Sequence, residues 1–393
     1  MIRKDELSES AVVDLARERV RLRSRSAKQP SASHTTELVE INLLLDKGHS
    51  VEAQKRLTSL LPVVQKEPTS LAEARLALSV VFEMQGDYRE SLNAVAMYED
   101  PESRANLAAD LALRLRVQLS VAYNYAGNHP KAIGLLQHAL RENPEPDAAP
   151  TGPIFVALAR VYRSINEYPI ARDYAERALA NYRQSGDWRG LAEAYVGLAL
   201  TDKHEGDHES ALRNFEQALQ LIGDHPATFF LGKIYTNMAG VCRFLERPQE
   251  GIRYLERAID YYENTEHSVL AAMAHNNLGA NLVITGQWDR AQEAFERSLS
   301  LLRAADEREE NIPMALDSLG ELELLRGNFA EAREHLEQAV AMAGEIGNKW
   351  YECQTLRTLA RCLIATTRPH VPGMRLPTTG WRTPTPTTTA ITI

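Results

Sequence analysis

One length runs through this chain. Short turn-like segments recur along it: Gly48-His49-Ser50, Gly86-Asp87-Tyr88, Gly127-Asn128-His129, Asn166-Glu167-Tyr168, Gly206-Asp207-His208, Glu246-Arg247-Pro248, Gly286-Gln287-Trp288 and Gly327-Asn328-Phe329. Successive starts lie 38, 41, 39, 40, 40, 40 and 41 residues apart. A fixed period of this size marks a stack of like units, each touching only its neighbours.

The residues between the turns say what each unit is. Five positions after each start stands a small residue: Ala53, Ser91, Ala132, Ala171, Ala211, Gly251, Ala291 or Ala332. Seven positions before each start the residue is again mostly small, as in Ser79, Ser120, Ala159, Ala199, Ala239, Gly279 and Gly320. This spacing predicts two amphipathic helices per unit, joined by a tight turn, with small residues where the helices approach closely. Gly at the turn supplies the left-handed backbone that ends the first helix. Larger apolar residues, such as Leu136, Phe215, Leu255, Phe295 and Leu336, are placed to fill the space between units. One unit cannot bury its own apolar face, so units must stack.

The pattern resembles the tetratricopeptide repeat family over residues 36–365. The clearest unit, 'MAHNNLGANLVITGQWDRAQEAFERSLSLL' at 273–302, carries Leu-Gly, Gly-x-aromatic, Ala-x-x-x-Phe and small-Leu steps in order. The resemblance implies an all-α fold, a right-handed α-solenoid of about eight helix-turn-helix units plus an unpaired ninth first helix. The period, about 40 residues, exceeds the 34 of the standard unit. The longer unit is similar to the arrays of bacterial regulators and of motor- or polarity-adaptor scaffolds. Units one, two and six are the least regular. Unit six has Glu246 and Pro248 where Gly and an aromatic are expected.

The ends depart from the period. In residues 1–35, Arg17, Arg19, Arg21, Arg23 and Arg25 alternate and Lys28 follows. We read this as a largely flexible, solvated arm, since a charge run alone is weak grounds for a nucleic-acid or membrane contact. Residues 348–365 read as a ninth first helix. Residues 366–393 then hold ten Thr, five Pro and no acid, with no helical periodicity. The expectation is either an open reading frame interrupted near residue 365 or a disordered Thr/Pro tail.

Composition narrows the function classes. A formal net charge of -9 argues against a general nucleic-acid binder. Three cysteines, Cys242, Cys353 and Cys362, form no disulfide framework or zinc ribbon, which fits a reducing compartment. We read Cys353 and Cys362 as small buried hydrophobes. No secretory leader or membrane-length apolar run is visible, so the expectation is a cytoplasmic chain without a membrane contact.

Residues 204–208 read His-Glu-Gly-Asp-His, the two-histidine pattern of zinc peptidases. Such a site needs both histidines on one continuous helix. The repeat register instead puts Gly206-Asp207 in the turn of unit five, ends the first helix at His204, and makes His208 a packing residue on the second. No phosphate loop, nucleophile elbow or dinucleotide fingerprint is present. The expectation is no catalytic residue, no cofactor and no metal.

What remains is a binding surface. In the family that the pattern resembles, the first helix of each unit lines a concave groove. Asn124, Arg163, Lys203 and Arg243 recur there at intervals of 39, 40 and 40, and Arg160 lies on the same face as Arg163. Asn237, Asn276, Asn277 and Asn281 add amides, which can bond both edges of an extended peptide. Arg and Lys pair with carboxylates. The leading expectation is a non-catalytic scaffold gripping an acidic peptide or a partner's tail. The alternative is a regulatory array within a larger bacterial transcription or signalling regulator. The uncovered last helix offers a face for another copy of the chain.

Overall fold

The structure, a computed structural model, describes residues 32–142, 151–223, 228–265, 267–306 and 310–367. The arginine-rich arm falls within residues 1–31, outside the described residues, as do residues 368–393 of the Thr/Pro tail. Among the described residues the fold is all-α, an α-solenoid of helix pairs. The chain divides into two compact bodies, Met1–Phe229 and Phe230–Ile393.

The first body holds five pairs. They are α1 (Ala32–Asp46) with α2 (Ser50–Val64), α3 (Pro68–Gln85) with α4 (Tyr88–Val95), and α6 (Ala109–Tyr125) with α7 (His129–Glu142). Then come α8 (Gly152–Ser164) with α9 (Tyr168–Ser185), and α10 (Trp188–Glu205) with α11 (His208–Ile222). The second helix of unit two is broken. After α4 the chain makes a 3-10 turn, Ala96–Tyr98, and restarts as the short α5 (Pro101–Arg104). Two residues explain the break. Tyr98, buried, stands where the other units mostly have a small residue, and Pro101 forces Asp100 out of the helical region, to ψ 126. Arg104 caps the carbonyl groups left open, donating to those of Tyr98 and Glu99.

The second body repeats the plan with α12 (Thr228–Phe244) and α13 (Pro248–Glu263), α14 (Ser268–Ile284) and α15 (Trp288–Ala305), and α16 (Ile312–Arg326) and α17 (Phe329–Ile346). A last helix, α18 (Lys349–Thr367), packs on α16 and α17.

The small residues do what the spacing predicts. Ala53, Ala132, Ala171, Ala211, Ala291 and Ala332 are all fully buried, as are Leu136, Phe215, Phe295 and Leu336. A side chain at Gly279 would lie 2.4 Å from the Phe295 ring. One at Gly320 would lie 2.6 Å from Leu336. The first helix therefore meets its own second helix backbone to side chain. On α18 the equivalent position is Ala360, and its face, with Trp350, Cys353, Leu356, Leu363 and Ile364, is exposed. Cys353 is thus not a buried hydrophobe as expected: it lies on the face that the other units cover with a second helix, whereas Cys362 is buried.

All eight turn positions adopt positive φ, six of them glycine. The other two are Asn166, at φ 63, and Glu246, at φ 58. Unit six thus makes the same turn as its neighbours without glycine, closed by the same backbone hydrogen bonds, Glu246 N–H to the Arg243 carbonyl and Arg247 N–H to the Cys242 carbonyl. Any Cβ is disfavoured there by about 1 kcal/mol, because it approaches the following carbonyl oxygen. Glu246→Gly should therefore raise the stability of the second body by about 0.5–1 kcal/mol in urea melts. A variant less stable than the parent would contradict this.

Candidate functional site

The first helices α3, α6, α8 and α10 line one wall of the first body, and ion pairs show that this wall curves inward. Arg160 on α8 reaches across unit three to Glu83 on α3, at 3.2 Å. Arg189 on α10 reaches Asp46 at the end of α1, at 2.7 Å. Residues 77 and 143 positions apart in sequence meet this way, so units two apart and four apart approach one another on the inner side.

Glu83 holds Arg160, and Gln118 donates to the same carboxylate at 3.1 Å. Burial opposes the charge on Arg160, but Tyr125, Glu83 and Glu193 outweigh it, so the guanidinium is held more firmly charged than usual. Tyr125 stacks on Tyr88 with ring centroids 4.2 Å apart, and burial pushes its hydroxyl pKa up. Asn124 is buried and engaged within the fold. Its amide donates to Ser164 at 3.1 Å, and its carbonyl oxygen lies 3.0 Å from the ring of His129.

Arg163, one turn past Arg160, is 8% exposed and donates to the carbonyl of Gly197 at 3.4 Å. Burial and the charge of Arg160 push its pKa down to about 10. Lys203 follows on α10, half-buried. His204 stacks on Tyr168, centroids 5.6 Å apart. Burial, then the charges of Arg163 and Lys203, push His204 down to about 4.

The two histidines of the zinc-like pattern sit on different helices. α10 ends at Glu205, Gly206 turns at φ 87, and α11 begins at His208, where the Asp207 side chain accepts the amide of Ser210. Glu205 is held by Arg172, which also reaches the buried Asp202 at 2.6 Å. Among the described residues, no group of three or more His, Cys, Asp or Glu side chains is placed to hold a metal ion.

In the second body the corresponding first helices are α12, α14, α16 and α18. Arg243 is half-buried, and burial pushes its pKa down. Asn237 donates to Lys233, and Asn281 to Asn277, each one turn back on its own helix. Asn281 is 3% exposed, and its oxygen faces the backbone at Gly251 of α13. Asn276 is buried as well. Asn281 thus serves the packing between units six and seven, whereas Asn277 keeps a partly open position.

Sequence reasoning passed over two features. Glu83 stands in the register of Asn124, Arg163 and Lys203, one unit earlier, and extending the ladder by one period would have found it. Asp317, Glu321 and Arg361 form a cluster between α16 and α18, with Arg361 paired to Glu321 at 2.8 Å. Burial, and then Glu321, push the Asp317 carboxyl up to about 6. Its folded pKa is raised above the ordinary value, so the protonated form is the one the fold prefers. The stability this contributes is present below about pH 4 and is lost as pH rises to about 6. Asp317→Asn should remove a loss on the order of 2 kcal/mol between those limits. Equal pH dependence in variant and parent, followed by urea melts, would contradict it.

No described helix is long and apolar enough to cross a membrane. Family models described as tetratricopeptide repeat match residues 111–184, 154–224 and 230–304, and a second such model matches 314–346. Together they cover more than half of the chain. An Arabidopsis thaliana protein, kinesin light chain-related 1, is 21% identical over 280 residues, which are 70% of this chain and 40% of that protein. The chain therefore spans less than half the length of that relative. Among solved structures, an APC/C hetero-tetramer matches with TM-score 0.61 at 14% identity, over 92% of this chain and 61% of that one. A Pyrococcus horikoshii signal transduction ATPase with numerous domains and a tetratricopeptide repeat sensor matches with TM-score 0.60 at 14% identity, over 87% and 51%. A Rap protein complexed with competence and sporulation factor matches with TM-score 0.50 at 17% identity, over 85% and 98%. These structural likenesses concern the fold.

Proposed function

The chain belongs to the tetratricopeptide repeat family, and from that premise we propose that it is a non-catalytic interaction scaffold whose inner wall holds an extended peptide or tail of a partner protein. The observation that carries the reading is the run of polar side chains on successive first helices in one register, Arg163 and Lys203 in the first body and Arg243 in the second. Asn237 and Asn277, partly buried on the first helices α12 and α14 of the second body, would add amides to the Arg243 charge. The positive members favour an acidic segment, since each gains most from a carboxylate. Arg160 contributes less, because Glu83 already holds it. A solenoid wall supports this function because many small contacts add along an extended ligand.

Affinity capture of the full chain, followed by mass spectrometry and competition with synthetic peptides from the captured protein, tests the reading. The expected result is one acidic segment that competes at micromolar concentration. Capture that no peptide competes, or that a basic peptide competes, would contradict it. Self-association, where it occurs, is assigned to the exposed face of α18, and light scattering reads it.

The second reading is a regulatory array within a larger regulator. It draws support from the Pyrococcus protein, whose array is named a sensor. The gene's adjoining reading frames decide it: a continuing effector domain supports it, and none excludes it.

A further inference from the structure

Arg163 is a buried charge without an acid beside it. The residue is more than nine-tenths buried, and its hydrogen bond to the Gly197 carbonyl is long. Among the described residues, no ion pair joins Arg163 to a carboxylate, whereas Arg160 one turn earlier has Glu83. A buried arginine usually keeps such a partner, because desolvating the charge alone is costly. The groups that face it make matters worse: Arg160 on its own helix repels it, and Tyr125 on α6 and Tyr168 on α9 offer only phenol oxygens. On α10, Lys203 and His204 stand on the same side.

We propose that Arg163 is the centre of an oxyanion-binding site between the inner helices of units four and five, with Lys203 and His204 as further contacts. The ligand chemistry is that of a carboxylate or a phosphoryl group, both of which match the fork of a guanidinium. The proposal rests on the scaffold reading for the source of that group, a side chain of the partner's peptide. It makes a second claim that the scaffold reading does not. His204 is kept neutral by burial and by the positive charges of Arg163 and Lys203. Tyr168 stacks on one face of its ring, and Glu205, next to it on α10, is occupied by Arg172. An anion seated on Arg163 cancels the repulsion, so the His204 midpoint rises, and between about pH 4 and 5 the ring takes up a proton as the anion binds.

The test uses small anions and the full chain, so it does not depend on finding a partner. The His204 ring is followed by NMR through a pH titration without added anion, with inorganic phosphate, and with trifluoroacetate, a carboxylate that stays ionised at pH 4. The midpoint, about 4 in the free chain, should rise by about one pH unit with saturating anion. A rise with phosphate alone assigns the site to phosphoryl groups, and a rise with both admits carboxylates. Arg163→Gln should abolish the rise while keeping the melting temperature, since it removes a costly buried charge. Arg163→Lys should retain part of it. A midpoint that neither anion moves, or that moves equally in Arg163→Gln, overturns the proposal. A normal anion response alongside failed partner capture would instead count against the scaffold reading alone.

Discussion

Gly190→Val is expected to destabilise the first body by about 3 kcal/mol and to lower its melting temperature by roughly 6–12 °C. The reason is the place of Tyr182. Its ring is 5% exposed and lies against two glycines of two successive first helices. A Cβ at Gly190 would sit 2.1 Å from the ring, and one at Gly152 would sit 2.5 Å from it. Both contacts fall on the same ring edge, so the ring is confined by two backbones and cannot retreat cheaply. Interiors packed to this density transmit strain instead of absorbing it. Gly134 on α7 is the control. A side chain there meets nothing within 4 Å. Gly134→Ala should stabilise the same body by about 0.5–1 kcal/mol through helix propensity. A Gly190→Val chain that melts with the parent would show that the close approach of units four and five is not as described.

Lys203→Glu combined with Arg243→Gln is expected to weaken partner binding by about 30-fold or more. A close interfacial charge pair is worth about 1.5 kcal/mol upward, and reversing one member adds repulsion to the loss. Arg243 is changed to a neutral residue because its position is desolvated, and a buried carboxylate there would confuse binding with folding. Arg213→Glu, exposed on α11, changes the net charge without touching the inner wall, and should leave affinity within twofold. The decisive comparison is between these variants at equal ionic strength, since long-range charge effects are screened alike. Equal weakening by Arg213→Glu would assign the effect to overall charge and remove the inner wall from the account.

The fold was legible because its constraints are local and repeated. Fully buried Ala171 and Ala211 sit where the period puts them. Unit two stood out in the sequence only as irregular; the break of its second helix, at Tyr98 and Asp100-Pro101, came from the structure. Glu246 shows the opposite case. Its side chain disfavours a left-handed turn, yet the chain makes that turn with the same backbone hydrogen bonds as its neighbours, which the residue alone could not reveal.

The wall was legible only in part. Its register follows from the period, which is how Arg163, Lys203 and Arg243 were found. What each side chain already holds does not follow. The pairing of Arg160 with Glu83 depends on the curvature of the stack, and curvature accumulates from small rotations per unit that leave no local signature. Asn281 faces Gly251 for the same kind of reason: the missing Cβ on a neighbouring helix makes room for it. The zinc-like pattern was resolved by register, because a turn glycine between two histidines separates them onto two helices.

The central claim is that partners bind the inner wall formed by the first helices. Site-specific photo-crosslinking tests it most directly. Gly197, where an added side chain meets nothing within 4 Å, and Asn277 carry the photoreactive group on first helices. Arg213 and Gln338, both exposed on second helices, carry it outside. The account predicts that captured partner crosslinks from Gly197 and Asn277 and is absent from Arg213 and Gln338. Crosslinks from Arg213 and Gln338 alone would contradict it.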